Sequence, residues 1–152
     1  MKIAKLYSQM SSWPLGKWIF SKIAAQKAPY FSSINPYISE LTQTTCIVDL
    51  KKSRSVQNHL GTVHAIAMCN ACELAFGLTM EAGIPSHLRW IPKAMTVRYL
   101  KKAETSLNAA CDYPQILTIT PGDHIVPVKV RDINQQIVME ADITVYISEK
   151  RK

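Results

Sequence analysis

The residue in this chain best placed to do chemistry is Glu73, a carboxylate inside an almost unbroken apolar run from Val63 to Met80, with Asn70 three positions before it. Residues three apart on a helix share a face, so Asn70 and Glu73 are expected to point the same way. A carboxylate in apolar surroundings must be paired, solvated in a cleft, or neutralised by a raised pKa. Two roles satisfy that condition, a node in a structural polar network or a general base or nucleophile, and spacing alone leaves both open. Asn58, His59 and His64 cluster at the entrance of the run, beside Gly61 and Thr62. A helix starting here presents N–H groups at Val63 to Ile66, which can polarise a carbonyl or stabilise an oxyanion. A base within a helix and an electrophilic helix start are the components of acyl transfer.

The element that must position these groups is one long helix, expected from Thr62 to Glu81, with Asn58 and Thr62 as capping side chains and Gly61 allowing a tight turn into it. Its apolar residues cover nearly every helical angle rather than one stripe, so it must be wrapped on several sides over roughly 30 Å. Short β-branched or alternating runs predict strands at 34–41, 44–50, 94–100, 107–112, 115–120, 124–132 and 137–147. Two strands, one helix and then further strands exclude a doubly wound βαβ sheet. An antiparallel sheet curled around the helix satisfies its all-round apolar character, which makes the fold class α+β. Residues 1–31 read as one or two short helices broken at Pro14, an extension preceding the main domain at 32–152. Trp13, Trp18, Ile19, Phe20, Ile23 and Ala24 can form an apolar face there, suited to packing on the domain or, among lysines, to lying on a membrane surface.

A chain of 152 residues, 47% hydrophobic and 19% charged, suits a single globular core. No run approaches the roughly 18 uncharged apolar residues of a membrane span, and no export signal is recognisable, so a cytoplasmic location is expected. The four cysteines, Cys46, Cys69, Cys72 and Cys111, are too sparse for a disulfide scaffold. The CxxC at Cys69 and Cys72 lies inside the apolar helix and has no second pair, so neither metal nor other cofactor is expected. The net charge of +7 invites an anionic partner: Lys2, Lys5, Lys17, Lys22 and Lys27 all precede the first acidic residue, Glu40. No nucleic-acid-binding motif accompanies this excess, so nucleic acid is not expected as the partner.

The string Asn58-His59-Leu60-Gly61-Thr62-Val63-His64-Ala65, with Glu73 nine positions after His64, resembles the hotdog-fold thioesterases and most of all their phenylacetyl-CoA thioesterase-like branch. The predicted element order from about Pro36 to Ile147 is the hotdog order, and the first 30 residues lie outside the resemblance. The resemblance implies acyl-CoA as substrate, with coenzyme A as part of it, and Glu73 as the carboxylate that activates water or attacks the thioester. Asn58 would place the water and substrate, His64 would be the motif histidine, and Ala65 and Ile66 would turn their N–H groups to the thioester carbonyl. It also implies a homo-oligomer, dimer or tetramer, in which Glu73 reaches the site of the other subunit. Arg98, Lys101 and Lys102 would lie near the CoA phosphates, and the helix around Ala67, Asn70, Leu74 and Gly77 would line an apolar acyl pocket.

Two positions depart from that branch. His-Gly-Gly is replaced by His64-Ala65-Ile66, which puts side chains where glycines admit the substrate, and Glu73 stands for the common Asp. A noncatalytic acyl-CoA or lipid-binding hotdog module is therefore the main alternative. A hotdog dehydratase is the weaker one, since no Pro-Gly-rich approach precedes Ala67.

Overall fold

The computed structural model describes residues 3–150; Met1, Lys2, Arg151 and Lys152, the outermost residues of the two predicted segments, lie outside that range. Two helices, α1 (Ile3–Ser11) and α2 (Gly16–Lys27), lead through a 3-10 turn at Pro29–Ile34 into strands β1 (Tyr37–Leu41) and β2 (Thr45–Leu50). The long helix α3 (Ala65–Gly83) follows, then β3 (Leu88–Tyr99), β4 (Leu107–Asp112), β5 (Gly122–Asp132) and β6 (Ile137–Glu149). The strands form one antiparallel sheet in the order β1-β2-β4-β5-β6-β3.

The sheet curls around α3 because both partners require it. Along β5 and β6, Val126, Val128, Val130, Ala141, Ile143, Val145 and Ile147 alternate inward at the strand period and are buried. Met68, Ala71, Cys72, Ala75, Phe76 and Met80 of α3 are buried in the same core. Gly83 ends the helix so close to the chain that a Cβ would fall 2.2 Å from the Gln43 carbonyl oxygen. No larger residue fits there without displacing backbone.

Several boundaries differ from the sequence reading; the strand expected at 34–41, for one, begins at Tyr37, after a 3-10 turn that includes Ile34. The predicted strand at 115–120 is a 3-10 turn, Pro114–Thr118, because Pro114 has no N–H for a ladder and its fixed φ suits the start of such a turn. The strand expected from Ala94 begins at Leu88 and passes Pro92 at a register shift, which an edge strand tolerates. The helix starts at Ala65 rather than Thr62, capped by His64 rather than by Asn58 or Thr62.

The two sheet edges are treated differently. The edge of β1 is closed by the N-terminal helices: Ser21 Oγ accepts from the Ile38 N–H (2.8 Å), Tyr7 donates to the Ile38 carbonyl (3.1 Å), and Lys17 donates to the Ser39 carbonyl (2.8 Å). Side chains thus replace the missing neighbour strand, one way of protecting an edge. The twelve-residue β3 pairs only with β6, and most of its residues are exposed. Ser21 is buried, so Ser21→Ala leaves the Ile38 N–H without an acceptor. It should lower stability by about 1–3 kcal/mol in denaturant melts.

Candidate functional site

The sheet does not quite enclose α3. A stripe along the helix, Ile66, Cys69, Glu73, Gly77 and Glu81, remains exposed or half-buried, the residues recurring at three- and four-residue steps on one side. This seam lies between β3 and the N-terminal helices. Near its middle is a cleft of about 490 Å³ floored by Glu73, Leu74, Gly77 and Glu81. Ala24, Lys27, Ala28 and Phe31 form one wall, and Trp90 and Pro92 the other.

Glu73 is therefore at the surface of its own chain, not deep in the core, because it falls on the stripe that the curled sheet leaves open. Among the described residues no hydrogen bond or ion pair engages its carboxylate, so it is not a node of a structural network within the chain. Glu81 differs, since its Oε1 accepts from the Trp90 indole N–H at 3.0 Å. That bond, with the edge-to-face packing of Trp90 on Phe76 at 5.3 Å, fixes the far wall of the cleft. Toward the other end Tyr99 reaches the Cys69 thiol at 3.5 Å, and that contact is the main reason its pKa is pushed up to about 12. Cys72, the other half of the CxxC, is buried, and burial raises its thiol pKa well above the ordinary value. All four cysteines are free.

The helix start is more fully engaged than the sequence suggests. Val63 donates to the Ala103 carbonyl (2.9 Å), His64 to the Val56 carbonyl (2.8 Å), and Ile66 to Nδ1 of His64 (3.1 Å). Of the four N–H groups expected to be open, only that of Ala65 has no acceptor among the described residues. His64 Nδ1 must be unprotonated to accept, which makes His64 the N-cap of α3 in this chain. Asn58 is committed as well. Its Oδ1 accepts from Leu60 and Thr62, and its Nδ2 donates to Thr62 Oγ1 at 2.9 Å, closing a loop whose Gly61 sits at φ 74°. A left-handed residue at that turn is what glycine adopts without strain.

Asn70 does not join Glu73. It lines a separate recess of about 260 Å³ with Ser33, Ser55, Gln57, His64, Ile66 and Ala67. Its Nδ2 donates to Ser33 Oγ at 3.2 Å, while its Oδ1, buried, has no partner. One turn of separation was enough to put the two side chains on opposite sides of the N-terminal segment. Arg98 lies on the outer face of the sheet, bound to Asp142 (2.9 Å) and Glu140 (3.1 Å). These hydrogen bonds, that to Asp142 first, raise the guanidinium pKa. Lys101 donates to Gln136 at 2.7 Å, and Lys102 is exposed in the loop whose Ala103 braces the start of α3.

The sequence reading missed the cleft walls, Lys27, Phe31, Trp90 and Pro92. Trp90 carried a usable signal, an indole N–H that needs a partner when the ring is half-buried. The others belong to the site only because the chain termini of distant elements meet across the seam.

A curled antiparallel sheet around one helix, with strand order β1-β2-β4-β5-β6-β3, is the hotdog fold, and solved structures share it. A Pseudomonas aeruginosa protein described as a probable thioesterase superposes with a TM-score of 0.79 at 15% identity, over 86% of this chain and 93% of its own. A Haemophilus influenzae thioesterase gives 0.69 at 9% identity, over 79% and 82%. A structural-genomics target of no stated activity is 41% identical over 97% of this chain and 98% of its own, with a TM-score of 0.86. No curated protein sequence matches the chain. The chain belongs to the DUF4442 family, a domain of unknown function, which matches residues 16–147. That span includes α2, so the family's common unit begins before the strand region to which the sequence resemblance was limited.

His64→Ala removes the cap of α3 and should lower stability by about 0.5–2 kcal/mol in thermal melts, with the Asn58 loop unaffected.

Proposed function

We propose that this protein is a thioesterase that hydrolyses an acyl-CoA with an apolar aliphatic or aryl acyl group. The observation that carries this reading is Glu73, a carboxylate with no partner among the described residues, on the floor of a largely apolar cleft of about 490 Å³. A base in contact with solvent and beside an apolar wall is suited to a substrate with a reactive polar end and a hydrophobic tail. Glu73 would take a proton from water as its oxygen adds to the thioester carbonyl, or would add directly and form an anhydride that water then opens. Collapse of the tetrahedral adduct breaks the C–S bond, and the thiolate of coenzyme A leaves and is protonated.

The developing oxyanion needs a donor, and the Ala65 N–H is open at the helix start. Eight residues of helix separate Ala65 from Glu73, about 12 Å along the axis, too far for both to act on one carbonyl within a chain. A two-fold pairing of copies along the open β3 edge is the arrangement that can bring one copy's Glu73 to the other's helix start. Ile66, Tyr99 and Leu100, exposed at that end of the seam, would be covered by such pairing. Lys101 and Lys102, on the loop beside the helix start, are the cations available there for CoA phosphates. Arg98 is already neutralised by its two carboxylates.

A second reading, an acyl-CoA-binding module without turnover, is favoured by one observation: His64 Nδ1 occupies the Ile66 N–H, which removes half of the donor pair that the resemblance implies. Thiol release from a panel of acyl-CoA thioesters separates the two. If Glu73 is the base or nucleophile, Glu73→Gln should lower turnover about 10²- to 10⁴-fold with little change in melting temperature. Wild-type protein that binds these thioesters but releases no thiol establishes the binding module instead. Light scattering at micromolar concentration should give a dimer mass or a multiple of it, and a monomer mass would count heavily against a site shared between subunits.

A further inference from the structure

The N-terminal hairpin buries one side against β1 and exposes an unusual set of side chains on the other. Trp13 and Leu15, in the turn between α1 and α2, are 63% and 74% exposed, and Trp18 on α2 is 53% exposed. Ile19, Ile23 and Leu6 extend this surface along both helices. Lys5, exposed, and Lys22, half-buried, lie beside it, Lys27 lies at its inner edge toward Glu81, and Lys17 is turned to β1, where it donates to the Ser39 carbonyl. Lys22 also lies over the Trp18 ring at 5.6 Å while donating to the neutral Asn35, so its charge is not cancelled.

We infer that the α1–α2 hairpin docks the protein on an anionic phospholipid surface, with Trp13, Leu15 and Trp18 inserted at headgroup depth and Lys5 and Lys22 against lipid phosphates. Large aromatic and aliphatic side chains flanked by Lys5 and Lys22, neither of which is paired with an acid among the described residues, match the two attractions that hold a peripheral protein on such a surface. An acidic protein would satisfy the lysines but give no reason to expose two indoles at the hairpin. Among the described residues no helix is long and apolar enough to cross a membrane, so the contact is with the surface.

The position of the hairpin gives the docking a use. Between α1 and α2 lies a second recess, about 300 Å³, lined by Ile3, Leu6, Phe20, Ile23, Ala24 and Lys27, with Glu81 at its inner end. Ile3, Ala24, Lys27 and Glu81 also line the Glu73 cleft, so the two recesses adjoin across a wall of two apolar and two charged side chains. An acyl chain partitioned in a lipid layer would reach the Glu73 cleft by way of this neighbouring recess. This last link rests on the thioesterase reading; the docking itself does not.

The test is co-sedimentation of the full chain with vesicles of phosphatidylcholine alone or with about 30% phosphatidylglycerol, with tryptophan fluorescence as a second readout. Binding to the anionic vesicles with a blue shift, weakened about tenfold or more by 0.5 M salt, is the expected result. The double variant Trp13→Ser, Leu15→Asn removes apolar surface without adding charge. Asn suits the left-handed backbone at position 15, where φ is 60°, so folding should be kept and checked by its melt. It should bind at least about tenfold more weakly than wild type. No vesicle binding by wild type, equal binding by the variant, or equal binding to neutral vesicles overturns the proposal. A change in oligomeric mass in the variant without any lipid binding also overturns it and assigns the surface to a contact between copies. Lipid binding is read without thiol release, so this proposal and the thioesterase reading fail separately.

Discussion

An apolar helix that must be covered on almost all sides is the constraint from which the rest of this structure follows. With Phe76, Met80 and Ala75 wholly buried and the small residues Ala71 and Cys72 against the sheet, α3 cannot lie on a flat layer, because a flat layer covers only one face. The sheet must curl, and a sheet of finite width curled around a helix leaves a seam where its two edges fail to meet. The seam is where polar chemistry is permitted. Glu73 lies there because it is the angle of the helix at which a carboxylate can still reach water, so a single geometric necessity supplies both the core and an exposed carboxylate beside it.

The N-terminal helices complete this arrangement on one side only. Through Ser21, Tyr7 and Lys17 they satisfy the backbone of β1, and through Ala24, Ala28 and Phe31 they build a wall of the cleft. The same segment that protects an edge thereby shapes the space above Glu73. The β3 edge receives no such cover. Its ladder groups stay open, and its Trp90 is oriented by Glu81 and Phe76 to form the opposite wall. Covered on one edge and open on the other, the sheet keeps unpaired ladder groups along β3.

Polar groups around the helix start are divided between holding the fold and remaining available. Asn58, His64 and the N–H groups of Val63 and Ile66 are used to close the loop and cap α3, and Arg98 is neutralised on the outer face. The Ala65 N–H, the Glu73 carboxylate and Lys102 have no such commitments among the described residues. This separation leaves most motif residues holding the loop and the helix start, and few of them free. It also accounts for side chains at 65 and 66: with His64 acting as a cap, the turn is held by a side chain instead of by glycine flexibility.

Composition and periodicity were sufficient for the α+β class, the single central helix, the hairpin of β5 and β6 and the order of strands, helix and strands, because these depend on which residues must leave water and at what spacing. The hotdog fold itself was legible through the resemblance of residues 58–65 and Glu73. They were also sufficient to mark Glu73 as exceptional, since an ionisable group in an apolar run is visible as a break in pattern. What the sequence could not determine was which helical angle the sheet would leave uncovered. That depends on how far six strands curl and where their edges stop, a property of the whole layer rather than of any local stretch. Hence Asn70 and Glu73, one turn apart, separate into different recesses, and Trp90 and Lys27, far apart in the chain, come to line one cleft. The engagement of the helix-start N–H groups was hidden for a related reason: their acceptors, Val56, Ala103 and the His64 ring, are brought to them only when the loops around the helix close.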